Sequence, residues 1–420
     1  MSGRQRLRIR SAGRDLSPPP GSPAARHFTV VKTWFQDDYG LFARFDSLLC
    51  QALVGHPRVD RVIHLAPPIP PHELRRRGAD GFWEANLDRL SARASGNGFE
   101  EDGVWLYSAP VGETLHGAAA ARSAEVVRAV AAPDSWLVVV EMLTPHPFCG
   151  AVADALPDAI RVAVLEDDHR VGREDRDQVT VDFAATFASA AFGMASSPAL
   201  LEEFSRSGAS LALIPRVTEP EVYANAAPSA ELADLSRPIA VYAGWLRDRI
   251  DYDLLRYVVD ASPDVTFVLV GGGHDIAARE LGQRANVVLM GPRSGSSLPS
   301  LLAGADVALV PHTVDATTEG MTPDKVIHYL ASGLPVVSTA VAGVRTMPAG
   351  LVSVAKDAAE FSAKLRASVE ENDVDRASGR ARRRAAVASL DLRALGEWFV
   401  ASLDAAALGE PLPTTPEVNP

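Results

Sequence analysis

Apolar residues along this chain gather into short runs separated by stretches of helical spacing. Runs at 27–34, 61–65, 103–108, 135–141, 160–165, 191–197 and 210–215 read as strands, with helices at 41–54, 115–131 and 198–207 among them. A second series follows at 238–244, 264–270, 286–290, 306–310 and 334–337, interleaved with a helix at 251–261 and another opening at Pro323. Such alternation predicts parallel sheets with right-handed crossovers, an α/β fold. It lapses over 218–236, which carries Pro, Ala and acidic residues and reads as a linker. The pattern thus separates a Rossmann-like, doubly wound domain at 27–217 from a second at 237–388. A charged helical stretch closes the second domain. Residues 389–407 then form an amphipathic helix displaying Leu392, Leu395, Trp398, Phe399 and Val400. Residues 1–26 read as a disordered tail rich in Arg, Pro, Ser and Gly, and 408–420 as a Pro-rich flexible tail.

Composition narrows the function classes. The 420 residues suffice for two domains of ordinary size, and 47% hydrophobic with 22% charged residues is usual for a globular protein. A net charge of −12 argues against a nucleic-acid partner, whose phosphates demand a basic surface. Cys50 and Cys149, far apart in apolar surroundings, read as buried thiols in a reducing cytoplasmic setting, and no metal-ligand spacing is present. No apolar run approaches the ~20 residues of a membrane span. The arginine-rich start has no apolar core and is not a secretory signal, but its charge leaves peripheral contact with an anionic membrane open.

Candidate chemistry collects where strands end, because ligands of open α/β sheets bind outside the carboxyl ends of strands. In the first half these loops hold Gly40, then His146 in the loop 144–148, then Asp168 and His169 in Glu166-Asp167-Asp168-His169. His146 is placed to approach a reacting group, and Asp168 and His169 to orient hydroxyls. The plainer alternative is that the acidic loop caps the next helix. In the second half, Gly244, Arg247 and Arg249 follow the strand at 238–244, and Gly271-Gly272-Gly273 follow that at 264–270. Arg247 and Arg249 offer planar donors suited to a diphosphate, or else pair on the surface with Asp248 and Asp251. Met290, Gly291 and Arg293 stand after the next strand. The most informative stretch is 321–339. Pro323 suits a first helical turn, Val326, Ile327, Leu330 and Ala331 give one apolar face, and Gly333 stops the helix. Lys325 and His328 share a face near its start, where a phosphate binds well; the alternative is a solvated lysine on an ordinary α/β unit.

The segment Pro323-Asp324-Lys325-Val326-Ile327-His328-Tyr329-Leu330-Ala331-Ser332-Gly333-Leu334-Pro335-Val336-Val337 resembles the nucleotide-sugar signature of retaining GT-B glycosyltransferases. The nearest form is P-x-K-x-x-E-Y-L-A-x-G-x-P-V-V of bacterial teichuronic-acid and cell-surface polysaccharide enzymes. Two positions depart from it. His328 stands where the family carries a ribose-binding glutamate, and Gly320, beside Glu319, stands at its other acidic position. Residues 191–197, the helix opened by Pro198 to Ser207, and 210–215 resemble a further family segment, but the ending Ile214-Pro215-Arg216-Val217-Thr218 lacks the usual Asn-Gly turn.

The resemblance implies a GT-B fold, two Rossmann-like domains facing across a cleft, with the helix at 389–407 crossing back onto the first. It implies donor contacts from Gly244, Arg247, Arg249, Gly271, Gly272, Met290, Gly291, Arg293, Pro323, Lys325 and His328. Gly40, Asp168 and His169 fall on the acceptor side, and His146, Asp168, Arg249 and Lys325 in catalytic positions. The implied reaction moves a sugar from a nucleotide-diphosphate sugar to a sugar or lipid-linked hydroxyl acceptor, with retention, in cell-surface polysaccharide or glycoconjugate biosynthesis. The implied place is the cytoplasm or the inner face of the membrane. No Asp-x-Asp-type motif ends a strand of the second domain, so neither metal nor cofactor is expected. The replaced glutamate keeps a second reading open: a catalytically impaired GT-B protein that binds nucleotide sugars or a partner.

Overall fold

The computed structural model describes residues 26–34, 40, 44–68, 91–92, 95–110, 116–273, 275–319, 321–370 and 373–419. Two sheets organise it. The first contains β1 (Phe28–Thr33), β2 (Val59–Ala66), β3 (Phe99–Glu101), β4 (Val104–Ser108), β5 (Trp136–Met142), β6 (Ile160–Leu165), β7 (Phe192–Ala195) and β8 (Leu211–Leu213), in the order β3-β4-β2-β1-β5-β6-β7-β8. All neighbours are parallel except the β3–β4 pair. The six residues of β1 are all buried, with Val30 opposite Val62 on one side and Val138 on the other. A strand covered on both faces needs apolar side chains in both directions, so the run shows no alternation.

The second sheet contains β9 (Ile239–Ala243), β10 (Thr266–Val270), β11 (Val287–Gly291), β12 (Val307–Val310), β13 (Val336–Thr339) and β14 (Ser353–Ala355), in the order β11-β10-β9-β12-β13-β14. It is parallel throughout. Renumbered from one, this is the 3-2-1-4-5-6 order of dinucleotide-binding folds. Strand order reverses between β9 and β12, and in the first sheet between β1 and β5. Short elements not apparent in the sequence include β3, β14 and the helices Phe148–Asp154, Ile276–Leu281, Leu298–Ala303, Ala316–Glu319 and Ala342–Arg345.

Four helices frame the cleft or brace its walls: α1 (Phe45–Val54), α2 (Lys325–Ser332), α3 (Asp373–Val387) and α4 (Leu392–Leu408). In α2 the apolar face foreseen from Val326, Ile327 and Leu330 is buried in the second core, and Gly333 ends the helix in a left-handed conformation. Its exposed carbonyls are met by α3, whose Arg383 Nε donates to the Gly333 carbonyl (2.9 Å) and Arg384 Nη2 to that of Ser332 (3.2 Å). Cations at a helix C-terminus also suit its dipole.

The last helix belongs to the first core. Leu395, Trp398, Phe399 and Leu403 of α4 pack there, with Trp398 and Phe399 edge-on to Phe192 at 6.1 and 5.8 Å. Gly396 lets α4 approach α1 closely, since a β-carbon there would lie 2.7 Å from the Ala52 carbonyl oxygen. Residues 218–236, read as a linker, carry the helix Pro220–Asn225, and Tyr223 and Leu232 pack into the second core. Beyond α4, residues 410–419 form no helix or strand. Trp398 Nε1 donates to the Pro413 carbonyl (3.2 Å), and the Asn419 amide to that of Ala386 (2.9 Å). Among the described residues, no helix is long and apolar enough to cross a membrane.

Trp398 is 4% exposed and joins the crossover helix to β7. Trp398→Ala is expected to destabilise the first domain by about 3–5 kcal/mol. A lower urea midpoint for that domain checks it.

Candidate functional site

The two strand-order reversals face each other across a cleft of about 970 Å³. One wall comes from the first domain and bears Trp34, Arg44, Met142, Glu166, Asp167 and His169. Trp34 and Met142 mark the carboxyl ends of β1 and β5, so this wall sits at the first reversal. The opposite wall is the second reversal, with Gly244, Trp245, Arg247 and Arg249 after β9, His312 after β12, and Pro323, Asp324, Lys325 and His328 at the start of α2. Gly271, Gly272, Pro292 and Arg293 extend it past β10 and β11.

Backbone crowding explains part of the glycine content. Gly244 and Gly271 have φ of 155° and 152°, and a β-carbon on Gly271 would lie 1.7 Å from the Gly244 carbonyl oxygen. The two strand ends therefore touch, and no other residue fits at 271. The Trp245 ring lies on the backbone of Gly272 and Gly273, remains 60% exposed, and has the Arg247 guanidinium 5.7 Å from its centroid.

Positive charge collects at the centre of the second wall. Arg249 Nη2 reaches across to Asp167 Oδ2 at 3.1 Å. Lys325, first residue of α2, is half-buried with Nζ 5.5 Å from the Tyr242 ring centroid. Burial and then the charge of Arg249 pull its pKa down to about 8. Burial, with Lys325 and Arg249 adding to it, keeps His312 neutral. Asp324, just before Lys325, pairs with Arg216 from the end of the first domain. His328 is 2% exposed; its ring stacks on Tyr223 (5.1 Å, 14°), and its Nδ1 shares a 2.8 Å hydrogen bond with the Thr218 hydroxyl. Arg293 pairs with Glu231 at 2.6 Å and also donates to the Met290 carbonyl.

The first wall holds carboxyls in opposite states. Burial, reinforced by Asp324, Asp46 and Asp167, pushes Glu166 up to about 8, and its Oε2 is buried without a hydrogen-bond partner. Burial would raise Asp167 too, but Arg249 and His169 outweigh it and hold that carboxyl below its usual value. Burial depresses His169, with Arg249 opposing the help of Asp167. Behind this wall Lys32 is fully buried and donates to the Thr33 carbonyl at 2.9 Å, and Asp46 lies 3.6 Å from His64. Among the described residues, no three His, Cys, Asp or Glu side chains are grouped to hold a metal ion.

Several sequence candidates stand on the cleft: His169, Gly244, Arg247, Arg249, Gly271, Gly272, Arg293, Pro323, Lys325 and His328. Others do not. Asp168 turns away, because Arg170 takes both its oxygens at 2.7 and 2.9 Å while also binding Glu203 at 2.7 and 2.8 Å. Arg170 is fully buried, so its charge must be matched, and Asp168 does so. His146 lies just before the helix Phe148–Asp154, its Nδ1 accepting from the Phe148 amide at 3.3 Å, and is not among the lining residues. Gly40 is exposed, its amide bonded to Ser47 Oγ at 3.0 Å, and lies off the cleft wall. Met290 and Gly291 lie behind it, the Gly291 carbonyl accepting from the Gly271 amide at 2.9 Å. Gly320 lies outside the described residues; its neighbour Glu319 pairs with Arg345 at 2.9 Å. Glu166, Asp167, Asp324, Arg216, Trp34, Arg44 and Trp245 were missed as site residues. The only signal for the first two was their place directly after a strand, which does not say which of four polar neighbours faces inward.

Residues 237–371 match the family model described as Glycosyl transferases group 1. The chain is 27% identical over 101 residues to the putative teichuronic acid biosynthesis glycosyltransferase TuaH of Bacillus subtilis (strain 168), a stretch covering 23% of this chain and 25% of that protein. The chain thus matches about a quarter of its curated relative's length. In structure it is similar to Anabaena Alr3699/HepE, solved in complex with UDP and glucose. That likeness has a TM-score of 0.62 at 16% identity and covers 90% of this chain and 100% of the other. WaaG, a glycosyltransferase involved in lipopolysaccharide biosynthesis, aligns with a TM-score of 0.57 at 16% identity, over 89% and 99% of the two chains. The fold is GT-B.

Glu166 binds its proton more tightly when folded. Its usual value is 4.5 and its folded value about 8, so its stabilising contribution is present below 4.5 and lost as pH rises through 8. Glu166→Gln removes this loss. Melting temperatures at pH 5 and pH 9 are expected to move in the variant's favour at the higher pH.

Proposed function

We propose that this chain, whose second domain is a group 1 glycosyl transferase domain within a GT-B fold, transfers a sugar from a nucleotide-diphosphate sugar to a hydroxyl acceptor. The observation that carries the reading is the convergence of Arg249, Lys325 and the N-terminus of α2 at the β9/β12 reversal. In such a transfer the bond from the anomeric carbon to the phosphate oxygen breaks, a bond to the acceptor oxygen forms, and the acceptor proton passes to the released diphosphate or to water. Negative charge grows on the diphosphate. Fixed cations and a helix dipole aimed there stabilise the transition state without reorganising. Arg249 supplies a planar donor and Lys325 a point charge.

The remaining donor contacts follow from position. His328 faces the cleft one helical turn beyond Lys325, within reach of a ribose hydroxyl, and Pro292 and Arg293 border the place for the base. The acceptor would enter against the first wall, where Glu166, Asp167 and His169 offer partners for hydroxyls. Retention, metal independence and a cytoplasmic or inner-membrane setting remain part of the proposal. So does a sugar or lipid-linked acceptor of a cell-surface polysaccharide, the class to which the name of the Bacillus relative points. UDP is the first nucleotide to test because the Anabaena neighbour was solved with it. His328, in place of a carboxylate able to hold a ribose diol with two oxygens, favours one second reading: a module that binds nucleotide sugars without turnover.

Calorimetric titration with UDP, GDP, dTDP and ADP tests the site. One of the four is expected to bind wild type and to lose about 100-fold or more in the Arg249→Ala, Lys325→Ala double variant. Affinity is also expected to weaken between pH 7 and pH 9.5, since Lys325, with its value near 8, surrenders its charge across that window. Failure of all four to bind would sink the donor-site reading. Nucleotide release from the matching sugar nucleotide separates an enzyme from a binding module.

A further inference from the structure

Two ion pairs join the walls of the cleft. Arg249 of the second domain holds Asp167 of the first, and Arg216 of the first domain holds Asp324 beside Lys325. Both carboxylates therefore stand against the groups proposed to meet the donor diphosphate. The Asp167 contact is the weaker anchor by construction. It is a single 3.1 Å hydrogen bond between side chains 43% and 36% exposed, the one bond that the Arg249 side chain makes among the described residues. Half-exposed pairs of this kind contribute little to stability. A diphosphate brings more charge and several oxygens to the same guanidinium.

We propose that Asp167 occupies Arg249 in the empty cleft as a stand-in for a donor phosphate, and that a nucleoside diphosphate must displace it to bind. Asp167 is thus a positioning residue acting through Arg249. It parks the arginine at the cleft centre and yields it when the donor arrives. The released carboxylate remains on the first wall, between Glu166 and His169, where it faces the acceptor side. The donor therefore has to bind before this carboxylate is free. Glu166 cannot substitute for Asp167, because it already carries its proton in the neutral range.

The inference rests on the donor-site reading, and calorimetry with UDP tells the two apart. Asp167→Asn removes the competing charge and is expected to bind UDP about two- to fivefold tighter than wild type, the gain from releasing one partly exposed ion pair. Asp167→Glu retains the charge and is expected to stay within about twofold of wild type. Asp167→Ser provides the same test as Asp167→Asn should the latter melt below wild type. A neutral variant that binds UDP more weakly, or equally well, overturns the proposal; weaker binding would mean that Asp167 merely braces Arg249. If wild type binds none of UDP, GDP, dTDP and ADP, the donor site itself is wrong. If it binds one of the others, that nucleotide replaces UDP in the same comparison.

Discussion

When a parallel sheet reverses its strand order, the helices on either side of the reversal leave toward opposite faces, and a crevice opens above the strand ends. The cleft of this protein depends on that constraint being met twice. One crevice lies above β1 and β5, the other above β9 and β12, and the two are turned toward each other. Most of what the walls present comes from this. Trp34 and Met142 arrive because their strands end there, Gly244 and Gly271 because two strand ends must touch, and Lys325 because α2 begins beside the second reversal. The apolar runs buried beneath are what hold these ends in register.

Within the cleft, burial and charge pull against each other, and the balance differs at each group. Lys325 is half-buried without a carboxylate bonded to it, so desolvation wins and its proton loosens. Asp167 is nearly as enclosed, but Arg249 stands 3.1 Å away, so Coulomb attraction wins and the carboxyl stays ionised. Glu166, one residue earlier, faces Asp324, Asp46 and Asp167 and keeps its proton. Neighbours in sequence thus carry different charges in one wall. A site built this way can offer hydrogen bonds to uncharged hydroxyls on one side and fixed positive charge on the other.

Much of the fold was legible because doubly covered strands leave runs that little else produces. The exceptions were short. β3 is Phe99-Glu100-Glu101, three residues on a sheet edge where one face is wet, and it has no apolar run to betray it. The second cleft wall was legible to a similar degree, since Arg249, Lys325 and His328, which line it, sit next to punctuating residues such as Gly244 and Pro323. The first wall was not. Whether Asp167 or Asp168 faces inward is decided by Arg170 and by Glu203, which arrives from a helix 33 positions after Arg170. His146 is a loop group as read, but its Nδ1 is turned to the Phe148 amide rather than into the cleft. No local spacing contains that information.

Thr218 is a small residue with a large mechanical position. It is fully buried, its amide donates to the Leu390 carbonyl at 2.9 Å, and its hydroxyl meets His328. Leu390 lies where the chain returns to the first domain, so the outgoing and returning strands of the backbone are tied together at this point. The two crossings of the backbone between the domains are therefore held side by side, and the same residue is bonded to a side chain that lines the cleft. The crossing between the domains and the placement of His328 are thus fixed by one and the same residue.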